Sequence, residues 1–96
     1  MTKKVRPSLL AENYFGAEQK VFWKWMGGFV SGQVVEIFFE RIEKEIKGKN
    51  IVRKGSKDCP AYLVKSDAGN YALKLQTELF SEKQKMELLR AKRDLL

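Results

Sequence analysis

Between Lys44 and Lys57 stand six cations, Lys44, Lys47, Lys49, Arg53, Lys54 and Lys57, against one acid, Glu45. A net charge of +5 on this stretch attracts phosphate or carboxylate groups if folding brings the side chains together. If folding leaves them along a hairpin, they are a solvated face and no more. Lys47, Lys49, Arg53, Lys54 and Lys57 are therefore the candidate contacts to nucleic acid or another acidic partner. Tyr62, Trp25 and Phe39 are rings that could stack on a ligand held there.

Catalytic chemistry finds much less support. The chain has no histidine, so no nucleophile has an imidazole to activate it. No glycine-rich phosphate loop and no dinucleotide-binding glycine pattern is present. Glu43 and Glu45 alternate with lysine, the pattern of a wet face rather than of an acid–base pair. One cysteine, Cys59, with no histidine falls short of the four N or S ligands of a structural zinc site. The expectation is a non-enzymatic protein without cofactor or metal.

The 96 residues suit one domain with a modest core. The net charge of +7 favours acidic partners or simply keeps the protein soluble. A lone cysteine cannot form an internal disulfide, which points to a reducing, cytoplasmic setting. No apolar run approaches the roughly 20 residues of a membrane span, and MTKKVR has no long apolar segment behind it, so neither membrane nor secretory signal is expected.

The elements that must position these residues are mostly strands. Residues 1–19 read as an arm with a short helix from about Ser8 to about Phe15, ended by Gly16. Val21, Trp23 and Trp25 alternate with Phe22, Lys24 and Met26, a strand by period and residue type. Gly27-Gly28 supplies a two-residue hairpin connection into a long strand over Phe29–Phe39. Gly32 inside that strand predicts a bulge, a sharp bend or the close approach of another backbone. Arg41 to Ile46 fits an exposed helix face or an edge strand. Strand is preferred, because no cap or breaker separates the run from the strand before it and Lys47-Gly48-Lys49-Asn50 ends it as a hairpin turn would. Ile51 to Arg53 is its return. Ala61–Lys65 and Tyr71–Leu75 make a second hairpin about a Gly69 turn. Ser81-Glu82-Lys83-Gln84 has capping-box spacing and opens a C-terminal helix, whose apolar side packs on the domain or on another copy.

Several stretches resemble one family. Trp23-Lys24-Trp25, Gly28 to Ile37, Ile46-Lys47-Gly48-Lys49 and above all Arg53 to Val64 (RKGSKDCPAYLV) look like the hypervirulence-associated protein Tudor-like domain, found in bacterial and fungal proteins. The resemblance covers roughly Gly16 to Phe80. It departs at Cys59, where the family usually has a second acid. It implies a small Tudor-type, SH3-like β-barrel. The expected architecture is mainly β: about five strands over residues 20–80, an N-terminal arm over 1–19 and a helix over 81–96. By fold analogy it also raises an aromatic cage for a methylated lysine, with Trp23, Trp25, Tyr62 and Tyr71 as candidate rings. The expected role is protein–protein interaction or self-association, and the alternative is nucleic-acid binding through the basic hairpin and loop.

Overall fold

The alternation of apolar and polar residues from Lys20 onward produces six strands. They are β1 (Lys20–Trp25), β2 (Gly28–Phe38), β3 (Arg41–Ile46), β4 (Lys49–Lys54), β5 (Ala61–Ser66) and β6 (Tyr71–Leu75), followed by a 3-10 turn (Gln76–Glu78) and a helix, α1 (Glu82–Leu95). The computed structural model describes residues 14–95, with side chains through Ala91. The expected N-terminal helix lies outside the described residues except for Tyr14 and Phe15, which are not helical.

Two hairpins use the same turn chemistry. Met26 and Gly27 link β1 to β2 with φ of 53° and 82°, and Lys47 and Gly48 link β3 to β4 with 53° and 80°. Positive φ at both central residues is what a type I′ turn needs, and that turn matches the twist of its strands. The first turn sits one residue before the expected Gly27-Gly28 pair. Gly28 already belongs to β2, opposite Trp25, and Met26 takes the left-handed position. The expected strand at Arg41–Ile46 is present, with Ile42, Lys44 and Ile46 half-buried and the residues between them exposed.

Antiparallel pairing arranges four strands in the order β1-β2-β5-β6, and β3-β4 form a separate two-stranded sheet. Because Phe38 pairs with Ala61, residues 39–60 are an excursion from the main sheet, not part of it. The basic hairpin was expected within the barrel; it stands outside the main sheet, beside β6. Beyond the 3-10 turn the chain returns to the free edge of β1. There Phe22 and Phe80 exchange both backbone hydrogen bonds, each 2.8 Å. This single-residue bridge brings the far end of the sheet round to its beginning, although no strand ladder closes it.

Two local devices curve the sheet. A β-bulge at Val35 interrupts the pairing between Val34–Val64 and Glu36–Leu63. Strict alternation would turn Glu36 inward and Ile37 outward. The extra residue resets the phase, so Ile37 joins the core and Glu36 stays wet. Gly32 is not the bulge. It is the close approach: a Cβ there would lie 2.3 Å from the Lys65 carbonyl oxygen.

The core comprises Phe15, Val21, Trp23, Val34, Tyr62, Val64 and Leu79, with Val30, Ile37 and Ala72 packed against it. Fully burying a residue of this kind contributes roughly 1.5–3 kcal/mol. The Tyr62 hydroxyl is satisfied inside: it donates to Gln76 Oε1 and accepts from the Phe15 amide at 3.1 Å. The arm is thereby fastened at Phe15. Its Tyr14 ring lies 4.9 Å from that of Phe39, and its hydroxyl donates to the Lys57 carbonyl at 2.7 Å. The capping box at α1 is formed, since the Gln84 amide donates to Ser81 Oγ (3.1 Å) and the Ser81 amide donates to Gln84 Oε1 (2.8 Å). The helix rests on β1 through Lys85, whose Nζ lies 4.3 Å from the Phe22 ring centroid, while Met86 and Leu89 stay exposed. No helix among the described residues is long and apolar enough to cross a membrane.

Candidate binding groove

The pairing register divides β5 and β6 into two faces. Tyr62, Val64 and Ala72 point into the core, while Leu63 pairs with Leu73 and Lys65 with Tyr71 on the outer face. The β3-β4 hairpin lies over part of that outer face. Because partners across a ladder share a face, Ile42, Lys44 and Ile46 line up with Arg53, Ile51 and Lys49 on one side of the hairpin.

Between the hairpin tip and the outer face is an open groove of about 420 Å³. Its apolar lining is Val35, Ile46, Leu63 and Tyr71, with Lys44 and Lys47 on the hairpin side and Asn70 on the turn side. The bulge is what places Val35 here, next to the outward Leu63. Tyr71 is 45% exposed, and Lys65 Nζ stands 5.5 Å from its ring centroid. Lys44 is partly engaged: its Nζ lies 3.9 Å from a Glu36 carboxylate oxygen and 5.3 Å from the Phe38 ring centroid.

The residues singled out in the sequence are scattered. Lys47 and Tyr71, which the sequence put in different sets, share the groove. Lys49 is on the same hairpin, just past its turn. Lys54 and Lys57 belong to the far end: β4 carries Lys49 and Lys54 about 17 Å apart at strand rise. Arg53 is engaged within the protein, with Nε 3.6 Å from Glu78 Oε1 and Nη1 donating to the Val52 carbonyl at 3.1 Å. A single basic patch over residues 44–57 does not form.

The aromatic set is also divided. Trp23 is 5% exposed and Tyr62 is fully buried, so neither can face a ligand from the surface. Both sit at inward register positions, Trp23 in the middle of β1 and Tyr62 near the start of β5, where β-propensity and core packing coincide. Trp25 has the same phase as Trp23 but lies past the end of the core, 63% exposed beside Met26 at 87%. It lines a different groove with Lys24, Phe29 and Leu89. Four rings around one cation are therefore not assembled.

Burial raises the Tyr62 hydroxyl pKa above its ordinary value of 10.0. Cys59 is half-buried; its amide donates to Ser56 Oγ at 3.0 Å, closing the loop after β4. Among the described residues no cluster of three or more His, Cys, Asp or Glu could hold a metal ion.

Residues 19–79 match the model of the Hypervirulence associated proteins TUDOR domain family. The chain belongs to that family. No curated protein and no solved structure matches it significantly. For the TUDOR domain the match covers all six strands and every residue of the groove. It stops one residue before Phe80, whose bridge completes the circuit to β1, and it leaves out Phe15 of the arm and all of α1. The TUDOR assignment covers the barrel-like core and the β3-β4 hairpin alike, and the groove lies between that hairpin and the outer face of β5 and β6.

Proposed function

We propose that this TUDOR domain is a non-enzymatic interaction module that holds a segment of a protein partner in the groove beneath the β3-β4 hairpin. The observation that carries this reading is the exposed Tyr71 ring on an apolar floor of Val35, Ile46 and Leu63. An accessible concave surface of this kind, an apolar floor with polar groups at its rim, is the usual form of a recognition site. Because Tyr71 is nearly half exposed, its truncation leaves the core untouched. A partner should be retained by the wild-type protein and by Trp25→Ala, and released by Tyr71→Ala, with the loss then measured by titration of the purified partner. Retention unchanged in Tyr71→Ala would refute the reading.

A second reading, self-association, has its own support: Trp25, Met26 and Leu89 form an exposed apolar surface at the hairpin tip and helix. It predicts a concentration-dependent mass in sedimentation that Trp25→Ala abolishes. The division of the basic residues between the two ends of β4 counts against nucleic acid as the principal partner.

A further inference from the structure

The geometry points to an acidic peptide as the groove's ligand, and against a methylated lysine. This inference rests on the groove being a protein-binding site and adds the chemical class of the partner. A cation-binding cage needs several open ring faces with no competing positive charge. Here one ring is exposed, and a cation already stands by it: Lys65 Nζ is 5.5 Å from the Tyr71 centroid. Lys44 and Lys47 stand on the opposite bank; Glu36, 3.9 Å from Lys44 Nζ, partly neutralises the first, and Glu45 also lines the groove, so Lys47 is the cation left to a ligand there. A methylated ammonium entering beside Tyr71 would meet like charges from both banks. A carboxylate would meet partners on both, while an aliphatic neighbour settles against Val35 and Leu63.

Lys47 is well suited to this task. Its backbone is fixed at φ 53° in a two-residue turn, and its side chain is exposed with no ion pair inside the described protein. Lys65 is held at a ladder position opposite Tyr71. Lys47 on the groove wall and Lys65 beside the Tyr71 ring, with Val35 and Leu63 in the floor, favour an acid flanked by aliphatic residues. A nucleic acid would need a ring free to stack; the cation at Tyr71 and the split of the remaining lysines favour the peptide.

The test must separate a local effect from the overall charge of +7, which attracts any anion. Two variants with equal net charge do so: Lys47→Glu with Lys65→Glu at the groove, and Lys54→Glu with Lys57→Glu at the far end of β4. A random heptapeptide library is selected on each full-length variant, on the wild type and on Tyr71→Ala, with folding verified by circular dichroism. The wild type and the far-end variant are expected to enrich Asp and Glu beside aliphatic residues. The groove variant should lose that enrichment, with at least tenfold weaker binding of the selected peptides. Enrichment of basic or trimethyllysine peptides dependent on Tyr71 would overturn the acidic class while leaving the groove as a protein site. Equal losses in the two double variants would overturn it as mere bulk electrostatics. Peptides indifferent to Tyr71 would remove the groove reading altogether. A labelled oligothymidylate bound in a Tyr71-dependent way, with no peptide enriched, would replace the peptide by nucleic acid.

Discussion

Gly32→Ala is a demanding perturbation of this structure, because it adds one methyl group where the β2 and β5 backbones run close together in their ladder. The new Cβ would lie 2.3 Å from the Lys65 carbonyl oxygen, 2.9 Å from the Lys65 carbonyl carbon and 2.8 Å from the Ser66 Cα. All three are main-chain atoms, so no side chain can swing aside. Relief requires β2 and β5 to separate, and these are the two central strands of the sheet. Overpacking costs about 1–3 kcal/mol where side chains can adjust. A clash with backbone belongs at the upper end, about 3 kcal/mol, out of the roughly 5–15 kcal/mol that holds a domain together. For a domain of this size that lowers Tm by about 12–24 °C. Thermal and urea unfolding followed by circular dichroism would measure it. Gly28→Ala is the control: a Cβ there meets nothing within 4 Å, and the change should stay within about 0.5 kcal/mol. If Gly32→Ala unfolds at the same temperature as Gly28→Ala, β5 does not approach β2 this closely and the packing argument fails.

Four further outcomes follow from other contacts. Tyr62→Phe leaves the Phe15 amide without its acceptor and should cost about 1–3 kcal/mol in urea unfolding. Because burial raises the Tyr62 pKa above 10.0, the folded state holds that proton more tightly than the unfolded chain. Its contribution is complete below about pH 10 and is lost as pH rises through the folded value; relative to the wild type, Tyr62→Phe should unfold less steeply in alkali. Ser81→Ala removes the acceptor for the Gln84 amide and should cost about 0.5–2 kcal/mol of helix stability, read by circular dichroism. Of the two tryptophans, Trp25 should account for nearly all fluorescence quenching by acrylamide, and Trp25→Phe should leave a blue-shifted, poorly quenched emission from Trp23.

Much of the fold was legible because its signals are local. The capping residues Ser81 and Gln84, the strand at Arg41–Ile46 and a turn within Lys47 to Asn50 depend on near neighbours in the chain, although the turn is the tighter Lys47-Gly48 pair and β4 already begins at Lys49. Gly32 was legible as an anomaly, and the close approach was among its expected meanings. What escaped was set by distant parts of the chain. The bulge at Val35 exists to turn Ile37 inward against Tyr62, and nothing in the run VVEIF announces the change of phase. Trp23 and Trp25 look alike in sequence and differ only in where the core ends. The division of the basic residues follows from Phe38 pairing with Ala61, which sends residues 39–60 out as a hairpin beside the main sheet. Lys47 and Tyr71 share a groove only because that hairpin packs beside β6.

The groove claim is tested most directly by amide chemical-shift mapping of the isotope-labelled protein during titration with a selected acidic peptide. Shifts should concentrate at Val35, Ile46, Lys47, Leu63 and Tyr71, and should vanish in Tyr71→Ala. Shifts centred on Trp25 and Leu89, or on Lys54 and Lys57, with the groove silent, would contradict the account.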